Sequence, residues 1–469
     1  MTENIPKSVL FGAAVLVTLA LAYYAYSRPE YFTSQTCLAV LLLEFLLATV
    51  VMYRRLFLPV LLVAFLFAGV DLPVGSGWTA ARWLFLSVGA LVGSLIVVKD
   101  PRHHFSLFHA LASFAVLTTL VSASVSRYPG IALLKALSLF LLFLYGGTGA
   151  RIAATGRESR FVMGLLTGCE IFVGVMAALY AVGIEAMGNP NSLGAVMGYI
   201  GAPVLLWGAL LRGEPLVQHR RWAVYGICMC MTLMSHARAG IAAAFLSCGL
   251  LCLALRRYKL IIKGLVVILI IVASIAIFRP GMVSSVASSV AYKSIDRQKG
   301  LVASREAPWR AAVDNIRNHF WFGAGLGTTA SGEDPSKVHA TFASTASVTA
   351  ENGSSYLAIM AGVGVLGVPP FFLMLILLVR RVFRTVTWML RTGSASHPAV
   401  PLAMVMVAGI VHAGFEDWMF APGNYLCVFF WSLAFVFVDL APSLRLSSPA
   451  LAWHPGSAST RIGRIAPSS

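Results

Sequence analysis

Apolar runs of the length that crosses a bilayer core, about seventeen to twenty-five residues, recur along nearly the whole chain. They fall near residues 9–26, 36–53, 57–70, 82–98, 105–123, 131–149, 161–183, 193–211, 222–236, 239–255, 260–278, 354–379, 398–414 and 425–440. This pattern predicts an all-α polytopic integral membrane protein with about fourteen transmembrane helices. One interval breaks the rhythm: residues 279–353 stay largely polar, while the other connections are short. Loops longer than about fifteen residues are seldom mere connections, so recognition or chemistry is expected there.

Inside that loop Trp309, Val313, Ile316 and Phe320 stand at helical spacing, with Ser304 as N-cap and Pro308 in the first turn. A short amphipathic helix on the membrane surface is expected. Gly323-Ala324-Gly325-Leu326-Gly327 should end it, and Gly332 to Ala350 reads as a mobile stretch. Gly362, Gly364 and Gly367 thin the following span for close helix contact, and Pro369-Pro370 should kink it.

Composition agrees with the pattern, since the 469 residues are 58% hydrophobic and only 11% charged. A typical soluble domain carries roughly 25% charged residues. The net charge of +17 would suggest nucleic acid in a soluble protein, but the cations sit at the ends of apolar runs, and no nucleic-acid partner is expected. Arg54-Arg55, Lys99 to His104, Arg151 to Arg160, Arg212 to Arg221, Arg256 to Lys263 and Arg380 to Arg391 fall on alternate loops. Cytoplasmic loops hold such clusters, so both termini read as cytoplasmic and the large loop as periplasmic.

The seven cysteines lie in or beside apolar runs, as small hydrophobes, and Cys228-Met229-Cys230 lacks the spacing of a zinc pair. The first run follows a short basic N-terminus and reads as a retained span. The chain divides into N-terminal helices 1–123, central helices 124–278, the loop 279–353, C-terminal helices 354–440 and a disordered cytoplasmic tail 441–469.

Several short motifs follow in order. Ser124-Val125-Ser126-Arg127-Tyr128-Pro129, Gly188-Asn189-Pro190-Asn191 and Ser235-His236-Ala237-Arg238-Ala239-Gly240 come first. Then come Ser304-Arg305 with Trp309, the glycine run to Gly327, Glu351 to Leu357 with Gly364 and Gly367, His412 to Glu416, and Pro422-Gly423-Asn424. From about Ser124 to Leu440 this order resembles the O-antigen ligase and polymerase superfamily, and more closely its exopolysaccharide polymerase members.

The resemblance implies transfer of glycan from an undecaprenyl pyrophosphate carrier in the bacterial inner membrane to an acceptor sugar hydroxyl on the periplasmic side, without metal or cofactor. It also implies membrane lipids, chain-length regulators and export proteins as neighbours. Family ligases carry a His eleven residues before the Gly-x-x-Gly, and Gly353 stands at that position here. Glu351 stands two residues earlier, in the Glu-x-Gly-x-Ser-Tyr-Leu pattern of polymerase-like relatives.

By this analogy Arg238 and Arg305 hold the pyrophosphate, since guanidinium groups bind two phosphate oxygens at once, and Glu351 takes the hydroxyl proton. Arg310, Arg127, Glu416 and His339 are candidate substrate-binding residues, His339 being an alternative base. Plainer roles stand beside these. Arg238 can snorkel to headgroups, Arg305 can pair with Glu306, Arg310 can pair with Asp314 and Arg127 can anchor a span end. Asn189 and Asn191 suit a turn and helix cap, and Trp309, Trp321 and Trp418 suit interfacial anchoring.

A polysaccharide polymerase is thus the expected function. An O-antigen ligase joining finished glycan to lipid A core or protein is one alternative. A lipid-linked sugar transporter is another, but only Glu44 and Glu170 lie well inside spans and no internal repeat stands out.

Overall fold

The computed structural model describes residues 35–68, 77–99, 105–187, 189–211, 213–278, 303–328 and 352–442, with isolated positions before residue 35. The described residues form helices and no strands. In order these are α1 (Gln35–Val51), α2 (Leu58–Ala68), α3 (Gly77–Lys99), α4 (Leu107–Val125) and α5 (Pro129–Ala154). Next come α6 (Glu158–Ala181), α7 (Pro190–Leu210), α8 (Pro215–Met234), α9 (Arg238–Ala254) and α10 (Tyr258–Phe278). The last are α11 (Ala303–Asn318), α12 (Ser355–Gly367), α13 (Pro369–Thr392), α14 (Ala399–Ala413) and α15 (Tyr425–Leu440). Prolines with their preset φ open α5, α7, α8 and α13, and Asn189 caps α7 by accepting the Asn191 N–H at 2.8 Å.

Among the described residues five helices are long and apolar enough to span a membrane: Ala81–Lys99 of α3, and α4, α5, α6 and α7. Two bent pairs, Leu42–Val51 with Tyr53–Leu66 at 113° and α12 with α13 at 118°, raise this to seven. A multi-pass helical architecture follows, with fewer straight crossings than the fourteen runs suggested. Residues 36–53 and 57–70 fold on one bend, residues 354–379 bend as Pro369-Pro370 predicted, and α9, α14 and α15 are short. The 9–26 run, the stretch from Gly332 to Ala350 and the tail from Ser443 lie outside the described residues, apart from a few positions of the run.

The centre of the bundle is α7, 94% of whose apolar window is buried, against 28% for α6 on the outside. Close backbone approach makes this packing possible. A methyl group at Gly198 of α7 would strike the Gly240 carbonyl of α9, and one at Gly194 would strike Ser235 and Ala237.

The connection after α11 is built into a broken helix. At Gly364 the backbone of α12 leaves helical geometry with φ 68°, so two rungs of its ladder open. The loop fills both. Ala361 and Gly362 carbonyls accept the N–H groups of Ala324 and Gly325 at 2.9 and 3.0 Å. Val365 and Leu366 N–H groups donate to the Phe320 and Trp321 carbonyls at 2.9 and 3.2 Å. All four groups of these two rungs are satisfied, as a buried backbone requires. From α4, Ser122 donates to the Gly362 carbonyl at 2.6 Å, and just beyond it Ser126 donates to the Ala324 carbonyl at 2.5 Å.

Gly364 should therefore tolerate no side chain. A φ of 68° with ψ 179° is open essentially to glycine alone and costs an L-residue about 1–3 kcal/mol, and overlap with the Trp321 carbonyl and Gly323 nitrogen adds a further 1–3 kcal/mol, roughly. Gly364→Ala is expected to lower the melting temperature of the detergent-solubilised protein by several degrees. Gly226→Ala, with open space around it in α8, should leave it equal or slightly raised.

Candidate functional site

Helix α11 begins at Ala303, so Ser304 lies inside it rather than at its cap, and Pro308 is its sixth residue rather than part of the first turn. A proline there has no N–H for the Ser304 carbonyl, which weakens the start of the helix. Tertiary contacts compensate: Arg305 forms an ion pair with Glu416, and the Trp309 indole N–H donates to the Gly353 carbonyl at 3.1 Å. These contacts turn Pro308, Trp309, Ala312, Asn315 and Ile316 toward the protein, while Val313 and Phe320 of the expected apolar stripe are exposed. The expected Trp309-Val313-Ile316-Phe320 face is corrected accordingly.

Gly353 has φ 64° and packs against Trp309 and Pro308, where a larger residue would meet the indole ring. On either side of it the chain is clasped to the α14–α15 loop. The Asn352 N–H donates to the Asp417 carboxylate at 2.9 Å, and the Ser355 N–H and hydroxyl both donate to the Glu416 carbonyl, at 3.1 and 2.6 Å. The same hydroxyl accepts the Met419 N–H at 3.0 Å. Trp418 is buried and gives its indole N–H to His412 Nδ1 at 2.7 Å, so His412 accepts there. Trp418 is thus a core residue and not an interfacial anchor, whereas Trp321 is exposed.

The motif loops gather at one end of the bundle. Ser126 holds the glycine run, Arg82 donates to the Gly423 carbonyl at 2.9 Å, and the Tyr425 hydroxyl reaches the Ser192 carbonyl at 3.5 Å. Through Gly194 and Ala237 this joins the Asn189 turn to the Arg238 corner. The opposite end carries Arg54, Arg157, Arg220 and Arg257, with Arg157 donating to the Arg54 carbonyl at 3.1 Å.

Arg305 and Glu416 are brought together, each side chain about a quarter exposed, so Arg305 does not pair with its neighbour Glu306. Glu306 pairs instead with Arg310, and Asp314 with Arg317 at 3.8 Å, which corrects the expected Arg310–Asp314 pair. Arg310 is exposed. Arg238 is the first residue of α9 and half-buried, and Arg127 is exposed with its guanidinium 6.0 Å from the Tyr128 ring. Glu351 and His339 lie outside the described residues. Sequence reasoning gave no role to Ser355, Ser126 or His412, although each stands in one of the motifs it singled out.

Residues 223–372 match the family model described as O-antigen ligase, a segment that contains Arg238, Arg305, Arg310, His339 and Glu351. The match supports the resemblance to the O-antigen ligase and polymerase superfamily. No curated protein matches the chain.

Replacing Ser355 by Ala would leave the Met419 N–H without its acceptor, at a cost of about 1–3 kcal/mol. A double-mutant cycle of Arg305→Gln and Glu416→Gln should give a coupling of about 1 kcal/mol or less, because the pair is partly solvated. Thermal unfolding of the purified variants checks both.

Proposed function

We propose that this protein, a membrane glycosyltransferase of the O-antigen ligase type, is a polysaccharide polymerase that extends glycan on the periplasmic side of the bacterial inner membrane. The single observation that carries the reading is the convergence of the separate motifs on one end of the bundle around the Arg305–Glu416 pair. The basic opposite end then faces the cytoplasm.

The donor is an undecaprenyl-pyrophosphate-linked glycan. An acceptor sugar hydroxyl attacks its anomeric carbon, the bond to the pyrophosphate oxygen breaks, and that electron pair leaves with the pyrophosphate. Arg238 and Arg305 offset the growing negative charge, and Glu351 receives the hydroxyl proton. Glu416 orients Arg305 before the donor arrives. Arg310 and Arg127, both exposed beside the cluster, together with His339, suit contacts to the sugars or the acceptor.

A second reading, ligation of finished glycan to lipid A core or protein, is favoured by the description of the matched family. Against it, Gly353 occupies the ligase His position and packs on Trp309. Chain-length regulators and export proteins fit the polymerase reading as partners.

Purified protein in nanodiscs, given lipid-linked repeat units, should yield a ladder of products. Arg238→Ala, Arg305→Ala and Glu351→Gln are each expected to slow chain growth about 10²–10³-fold, with single repeats accumulating on the carrier in cells. Full-length chains accumulating instead would mark a ligase, and unchanged growth would move the active site elsewhere.

A further inference from the structure

Among the described residues, two deeply placed arginines are neutralised. Arg151 is 4% exposed and bonds Asp439 at 2.5 Å, and Arg221 is 12% exposed beside Glu170 at 3.5 Å. Arg82 of α3 is 5% exposed, yet no carboxylate among the described residues pairs with it. It gives one hydrogen bond, from Nη1 to the Gly423 carbonyl, and lies over the Phe65 and Trp83 rings at 5.9 and 5.3 Å. Its Nε is buried without an acceptor.

A second cation stands close by. Lys135, two turns into α5, is half-buried, its stem lies along Gly327, no carboxylate among the described residues pairs with it, and α5 packs on both α3 and α15. Beside Arg82 begins α15, capped by Asn424, and the positive end of its dipole adds to the guanidinium charge. Two like charges and a helix N-terminus together inside an apolar bundle are costly unless an anion joins them.

We propose that Arg82, Lys135 and the start of α15 form a phosphate-binding site for a lipid-borne anion, just beneath the motif loops. Resting on the polymerase reading, the anion is the pyrophosphate of the donor, held here before it reaches Arg238 and Arg305, where transfer takes place. The glycine run reports occupancy, because Gly327 lies on the Lys135 stem. The phosphate of a phospholipid headgroup offers the same chemistry, and the test separates the two.

The purified full chain is titrated in detergent with undecaprenyl pyrophosphate, phosphatidylglycerol or uncharged undecaprenol, following melting temperature and affinity. Undecaprenyl pyrophosphate is expected to stabilise the unaltered protein, and undecaprenol not. Lys135→Met and Arg82→Met should weaken that binding at least tenfold. Lys135→Met should leave the ligand-free melting temperature equal or higher, since it removes an uncompensated charge, whereas a merely structural lysine would lower it.

The same loss seen only with phosphatidylglycerol keeps the phosphate site and severs its link to the donor. Binding unchanged in both variants overturns the proposal while leaving polymerase activity open. A protein that binds undecaprenyl pyrophosphate through these residues but makes no ladder upholds the site and refutes the polymerase reading.

Discussion

The structure depends on one break in one helix. Had α12 continued through Gly364, the carbonyls of Ala361 and Gly362 would have bonded Val365 and Leu366, and the glycine run would have had nothing to dock on. Instead the run completes those rungs from outside, with Gly323 and Gly364 in such close approach that neither has room for a side chain. The position of α11, and with it Arg305, follows from this interlock. An apolar helix is tolerated in a membrane because its backbone is satisfied internally, and the loop keeps that condition while introducing a polar segment at one end.

A second constraint concerns charge. The end opposite the motifs is rich in arginines, but those that lie deep are held by Asp439 and Glu170. At the motif end the balance differs. Arg305 has a carboxylate in a partly solvated pair, and Arg82 has none among the described residues. Charges left undercompensated in a low-dielectric bundle raise the energy of the empty state, and an anionic ligand recovers that energy on binding.

Much of the architecture was legible because it rests on composition and local chemistry. The helical class, the bend at Pro369-Pro370, the cap at Asn189 and the gathering of the low-charge loops at one end were all readable from apolar runs, prolines and Asn-Pro. What was not legible rests on contacts between distant segments. Nothing local distinguishes Arg305 pairing with Glu306 from Arg305 pairing with Glu416, 111 positions away. Among the described residues the straight spans are fewer than the apolar runs for a related reason: hydropathy measures length along the chain, whereas a helix that bends by 113° or 118° uses that length without a straight crossing. Trp418 misled because a tryptophan near a loop looks interfacial until its N–H is seen on His412.

The clasp between residues 352–355 and 416–419 explains how a chemical site can be assembled where the chain is otherwise long and polar. Ser355 serves two residues at once, donating to the Glu416 carbonyl and accepting from Met419, so the turn before α12 cannot shift without disturbing the loop that carries Glu416. Asn352 ties the same turn to Asp417. Arg305 is anchored to the carboxylate of Glu416, on the same loop that the clasp holds. Two segments from distant parts of the sequence thus share one frame, and a frame of backbone hydrogen bonds keeps its geometry whether or not the ion pair is closed, which is the rigidity that a positioned site needs.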